Sequence, residues 1–139
     1  MSVYLDTSVL VSMVIDDGNT GRARLIASRL TAPMVSDFAA AEFASALATR
    51  FRAGTLTEPE VRSAHAVFDS WRLAAIRTVE IVPSDVLEAD RILRTLRHAL
   101  RAPDAIHVAA ATRLGARLAT LDLTMAREAR VLGLDTIDA

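Results

Sequence analysis

Apolar and polar positions along the chain fall into short blocks of two kinds. Val3-Tyr4-Leu5 is an apolar run too short for a helix and followed at once by Asp6-Thr7-Ser8, so it predicts a buried strand handing over to a capped helix at about 9–15. Asp16-Asp17-Gly18-Asn19 predicts a turn. Ala23, Ile26, Ala27 and Leu30 recur at helical spacing, and Pro33 separates that helix from a second short strand, Met34-Val35-Ser36. Asp37 is the expected N-cap of a helix running to about Ala53 and stopped by Gly54. Thr57-Glu58-Pro59-Glu60 has the capping-box spacing and opens a helix expected to reach about Arg77. Val79 to Val82 predicts a third strand, followed by helices from about Ser84 to His98 and from about Pro103 to Leu114. Arg117 to Leu121 predicts a fourth strand, Asp122 caps a helix to about Leu132, and Leu134 to Ile137 predicts a fifth strand.

Short apolar strands alternating with amphipathic helices predict an α/β fold: a single domain over 1–139, with a central parallel sheet of about five strands flanked by helices. No repeat or Pro/Gly/Ser-rich linker divides the chain. In such sheets ligands bind beyond the carboxyl ends of the strands. Asp6 and Asp122 both fall there, each just past a predicted strand.

Composition narrows the chemistry. With 52% hydrophobic residues among 139, the chain can fill a core without disulfides or a structural metal. The absence of cysteine excludes thiol nucleophiles, Cys-ligated zinc and iron–sulfur clusters, and suits a reducing cytoplasm. All 16 basic residues are Arg, so Schiff-base lysine chemistry and a Walker A loop are excluded. The same absence counts against phosphatases of the haloacid dehalogenase type and response-regulator receivers, which also place an Asp after a strand but use a Lys. The formal net charge of −1 means that any nucleic-acid surface must be local. The amino terminus lacks the pattern of a signal peptide and no apolar run approaches a membrane span, so the expected location is the cytoplasm, with no membrane partner.

The acids carry the functional argument. Asp6, Asp104 and Asp122 each have an ordinary explanation as residues that cap a helix or favour its first turn. Glu42 is harder to explain, because it sits mid-helix among Ala, Phe, Ser and Leu with no Arg three or four residues away. A buried carboxylate without a partner is costly, so Glu42 needs a cation from another segment, either an Arg or a metal. Two carboxylates about 4 Å apart repel by roughly 4 kcal/mol at an effective dielectric near 20, so four together need a positive centre. Carboxylate oxygens suit Mg²⁺ or Mn²⁺, and such an ion can polarise a phosphate and activate water for phosphodiester hydrolysis.

Together, Val-Tyr-Leu-Asp6-Thr-Ser-Val-Leu-Val, the Glu42 in Ala-Ala-Glu-Phe, Pro103-Asp104-Ala-Ile-His-Val-Ala and Leu118-Ala-Thr120-Leu-Asp122 resemble the PIN domain, and within it the VapC-type ribonuclease toxins of toxin–antitoxin pairs. The resemblance spans the chain in order. It implies a Mg²⁺- or Mn²⁺-dependent endoribonuclease in which Asp6, Glu42, Asp104 and Asp122 are the catalytic, metal-binding acids. It also implies that Ser8 and Thr120 support them with hydroxyls, although both also suit capping or turn roles. Many relatives carry a further acid two residues after the fourth; here that position is Thr124, which points to one ion rather than two. The implied partners are RNA, with transfer RNA as a family-based candidate, a cognate antitoxin and a second copy in a homodimer. The apolar helices near 23–51 are candidate partner surfaces, and Arg97 and Arg101 are candidate phosphate contacts. His107 reads as a core residue outside the site. The rival reading is a non-catalytic PIN-like module that binds RNA or protein.

Overall fold

Five parallel strands lie in the order β3-β2-β1-β4-β5 in a computed structural model that describes residues 1–138. They are β1 (Val3–Leu5), β2 (Pro33–Ser36), β3 (Arg77–Val79), β4 (Arg117–Ala119) and β5 (Thr136–Ile137). The helices between them are α1 (Thr7–Val14), α2 (Thr20–Ala27), α3 (Asp37–Arg52), α4 (Glu58–Ala74), α5 (Pro83–Arg94), α6 (Ala102–Arg113) and α7 (Leu123–Val131). None of the helices among the described residues is long and apolar enough to cross a membrane.

The strand side chains alternate between two cores, as a period of two requires. Val3, Leu5, Val35, Ala119 and Ile137 pack with Val9 and Leu10 of α1, Phe43 and Leu47 of α3 and Phe68 of α4. Tyr4, Met34, Val79 and Leu118 face the other way, against Val108 and Ala111 of α6 and Met125 and Ala129 of α7. The result is a three-layer α/β/α sandwich with every strand short and the central β1 wholly buried.

Several boundaries differ from those expected. Ser36, not Asp37, caps α3: its hydroxyl accepts from the Ala39 amide at 2.9 Å. Asp37 instead accepts from the Ile81 amide at 2.9 Å, tying the segment after β3 to the start of α3. The third strand is 77–79 rather than 79–82, because Met34, Val35 and Ser36 pair with Arg77, Thr78 and Val79. Helix α4 accordingly ends at Ala74. Pro83 opens α5, where its missing N–H costs nothing, so 80–82 become a connector. Helix α5 stops at Arg94 instead of reaching His98, and Leu96 just beyond it takes a left-handed φ of 60°.

From β3 the chain crosses to the far side of β1 to form β4. The strand order therefore changes direction between β1 and β4, where a crevice opens at the carboxyl ends.

Helices α5 and α6 are clamped by one charge pair. Arg113 donates to both Asp85 oxygens, at 2.7 and 2.9 Å, and to the Glu80 carbonyl at 3.0 Å. Burial works to raise the Asp85 carboxyl, but the Arg113 guanidinium and the Val82 amide more than reverse it, leaving it below the ordinary value. Arg113→Met should cost about 2 kcal/mol in urea unfolding, less than a fully buried pair because the Arg113 side chain is 34% exposed. A depressed carboxyl stabilises the fold above the unfolded value of 3.8 and loses that contribution as pH falls through its folded value. The gap between wild type and variant should therefore close below about pH 4; a gap that persists there would assign the loss to packing.

Candidate active site

Strand β1 ends in the first acid. Asp6 caps α1 through the Val9 amide, which donates to Oδ1 at 3.3 Å, and it is only 5% exposed. Ser8 donates to the same oxygen at 2.6 Å, and Thr120 donates to Oδ2 at 2.7 Å. Both hydroxyls are shared across the crevice. The Leu121 amide donates to Ser8 Oγ at 3.0 Å, and the Asp122 amide donates to Thr120 Oγ1 at 3.0 Å. The ends of β1 and β4 are thus stitched together by side chains.

Asp6 has no ion-pair partner among the described residues. Burial pushes its carboxyl up, and the Ser8 and Thr120 hydroxyls offset that only in part. Its Oδ2 accepts a single bond and keeps a lone pair.

Asp122 is exposed and caps α7, its Oδ1 accepting from the Met125 amide at 3.1 Å. Asp104 lies in the first turn of α6, where its Oδ2 accepts from the Arg101 amide at 3.1 Å. The Arg101 guanidinium stands 3.8 Å from the same carboxylate.

Glu42 lies on α3 with its side chain 29% exposed. The partner it required comes from another segment: His107 of α6, whose Nε2 donates to Oε1 at 2.5 Å. Thr7 donates to the same oxygen at 2.8 Å. Burial raises the Glu42 carboxyl, but the bonds from His107 and Thr7 and the nearby Arg101 charge reverse this and hold it below the ordinary value. On its other nitrogen His107 is hydrogen-bonded to the Tyr4 hydroxyl at 2.7 Å, and Tyr4 donates to Ser36 Oγ at 2.8 Å. Burial holds the Tyr4 phenol well above its usual value, so it stays protonated.

His107 is indeed buried, as expected of a core residue, but it belongs to the acids' surroundings. Its position three residues after Asp104, on the same face of α6, was the available signal. Tyr4, Thr7 and Ser36 carried no such signal, since each also reads as strand or cap.

The structure therefore joins Asp6, Ser8, Thr120 and Asp122 in one hydrogen-bonded group and sets Glu42 beside it through Thr7, the neighbour of Asp6. Asp104, at the start of α6, bonds only to Arg101 among the described residues and to none of the other acids. Among the described residues no group of three or more His, Asp or Glu side chains stands close enough to hold a metal ion alone. A Mg²⁺ ion does not need one, because it keeps several waters and is commonly held by one or two carboxylates. A buried carboxylate with a spare lone pair and no direct ion-pair partner among the described residues fits such an ion. A shallow cavity of about 290 Å³, lined by Thr7, Ser8, Arg50 and Leu121 among others, opens alongside.

Comparison with known proteins agrees with this architecture. The PIN domain family pattern matches residues 3–131. Ribonuclease VapC45 of Mycobacterium tuberculosis is 33% identical over 114 residues, covering 81% of this chain and 76% of that protein. Among solved structures, M. tuberculosis VapC20, described as a sarcin–ricin loop cleaving toxin, superposes with a TM-score of 0.73 at 19% identity, covering 99% of this chain and all of that one. VapBC2 from Rickettsia felis, bound to a DNA fragment from its promoter, gives 0.69 at 15% identity over 99% of this chain and 98% of that one. With that match and that relative, the chain belongs to the PIN domain family.

Proposed function

We propose that this protein is a metal-dependent endoribonuclease, the toxin of a toxin–antitoxin pair acting in the cytoplasm. The observation that carries the reading is Asp6: a buried carboxylate at the carboxyl end of the central strand, braced by two hydroxyls and in no direct ion pair among the described residues. The name ribonuclease of the 33%-identical relative supports it.

Asp6, with Asp104, Asp122 and Glu42 around the crevice, would hold Mg²⁺ or Mn²⁺. Bound there, the ion supplies Lewis-acid chemistry toward a phosphodiester. The chain's own groups do the rest. Ser8 and Thr120 fix the two Asp6 oxygens, so that the carboxylate needs no rearrangement to bind a cation. The capping bonds of Asp122 and Asp104 orient those side chains at helix starts. Arg101, whose side chain is 87% exposed beside Asp104, and Arg50, in the adjoining cavity, are placed to take RNA phosphates.

Partners follow from the apolar surface. Leu25, Phe51 and Val67 are exposed on α2, α3 and α4, and a cavity of about 700 Å³ lined by Val14, Leu56, Ala64 and Val67 lies near the last two. An antitoxin segment would bury this region. Val86 and Leu87 on α5, 48% and 70% exposed, supply apolar area for a second copy in a homodimer.

A second reading, a PIN-like module that binds RNA without cutting it, draws on the lack of three convergent ligands among the described residues. One experiment separates the two. Antitoxin-free protein is incubated with total cellular RNA, transfer RNA included, in Mg²⁺ or Mn²⁺ and in EDTA. Cleavage that EDTA abolishes and added Mn²⁺ restores is the expected outcome. RNA that is retained by the protein but left intact in both metals would establish the binding module instead.

A further inference from the structure

The Glu42 carboxylate is held asymmetrically. Thr7 and His107 both donate to Oε1, at 2.8 and 2.5 Å, and no described residue donates to Oε2. His107 cannot swing away. It is buried, its Nδ1 is bonded to the Tyr4 hydroxyl in the central strand, and its ring packs between Tyr4 and Phe38, with centroids 5.6 and 5.3 Å away. Tyr4 in turn donates to Ser36, whose oxygen caps α3, the helix that carries Glu42. The loop of contacts closes: α3 is capped by Ser36, Ser36 holds Tyr4, Tyr4 holds His107, and His107 returns to Glu42 on α3.

A buried polar chain with every member bonded rigidifies the groups it links and fixes one orientation for each. The group at its open end is Glu42. The geometry points to His107 as a positioning residue, which through Tyr4 and Ser36 pins Glu42 Oε1 and leaves Oε2 directed to the cation and substrate side of the crevice. This rests on the metal-dependent reading above and assigns a role to a residue outside the acid set. The imidazole does not touch the reacting phosphate; it acts through the carboxylate it holds. Residues that orient a ligating group typically matter 10- to 100-fold for metal affinity or activity.

Packing and positioning make opposite predictions for two substitutions. Leu fills much of the ring's volume but donates nothing. Gln can donate its amide N–H to Glu42 but packs less well and brings an extra polar group. If His107 only fills the core, His107→Leu should match or exceed His107→Gln in every property. If it positions Glu42, the order reverses for the metal.

The test is Mn²⁺ affinity, read by the spin-resonance signal of free Mn²⁺ during titration of the full chain, with RNA cleavage measured beside it. His107→Leu is expected to weaken Mn²⁺ binding by about 10- to 100-fold, with His107→Gln recovering most of the loss. Tyr4→Phe, which keeps the ring and removes the hydroxyl, should show a smaller loss of the same kind. It also supplies the measurement should His107→Leu fail to fold. Wild-type Mn²⁺ affinity in Tyr4→Phe, or a folded His107→Leu that binds Mn²⁺ as well as His107→Gln or better, would overturn the assignment while leaving the nuclease reading intact. Wild-type protein that neither binds Mn²⁺ nor cuts RNA would overturn both.

Discussion

Replacing Asp6 by Asn is expected to abolish RNA cleavage and, in the same molecule, to raise the stability of the metal-free fold. Asn keeps the shape of the side chain, and its oxygen still accepts from Ser8 and the Val9 amide. Thr120 loses its acceptor at Oδ2 but can turn to receive the Asn amide instead, so the fold should survive. What disappears is the negative charge that would hold the cation. A loss of roughly 4 kcal/mol in transition-state stabilisation corresponds to about a thousandfold in rate. The stability gain has a separate origin. A carboxyl raised by burial binds its proton more tightly in the native than in the unfolded state, so ionising it at neutral pH costs native stability. That cost falls away as pH drops through the folded value. Urea unfolding should therefore show Asp6→Asn ahead of wild type at pH 7 and level with it in acid. Undiminished cleavage by the variant would remove Asp6 from the site. An unchanged midpoint at pH 7 would mean that the native carboxylate is better solvated than its burial indicates.

The largest stability loss is expected from Phe43→Ala, at about 3–5 kcal/mol. Phe43 is fully buried, lies 4.7 Å from the Phe68 ring and meets His65 edge-on. It is the main apolar anchor of α3 against α4, and truncation leaves a void between two helices that cannot easily close. Against a typical total of about 5–15 kcal/mol, this is a large share. Phe43→Leu should cost less than about half as much, since most of the volume remains. Equilibrium urea denaturation measures both. A loss under about 1 kcal/mol for the alanine variant would show that α3 relaxes into the space. The adjacent residue gives the measurement a functional side: Glu42 rides on the same helix turn, so a displaced α3 should also weaken metal binding.

Much of this organisation was legible in the chain because it depends on local chemistry. The apolar triplet 3–5, the Thr57–Glu60 capping box and the Gly54 stop each need only their neighbours, and each element formed where expected. The misplaced pieces depended on distant partners. The register of β3 is set by pairing with β2, which shifted it two residues towards the amino terminus from the apolar run that suggested it. Ser36 and Asp37 are both good caps, and only the closeness of Ile81 decided that Asp37 would bond elsewhere. The acids were legible as unusual residues, Glu42 most of all. Its partner was not, because a histidine on a packed helix looks the same whether it meets a carboxylate or a leucine. Resolving that required α3 and α6 to be placed against each other.

The seam between Asp6 and Thr120 has a consequence for how the protein is made. These residues are 114 positions apart, and the bond from the Leu121 amide to Ser8 spans 113. A growing chain on the ribosome already has β1, β2 and the first four helices while the other half of the crevice is still unsynthesised. Until residue 107 has emerged Glu42 lacks its histidine, and until residue 120 has emerged Asp6 lacks its Thr120 brace. The acidic site is thus assembled from the two far ends of its own sequence, and a chain that has not yet reached Thr120 carries Asp6 without its brace.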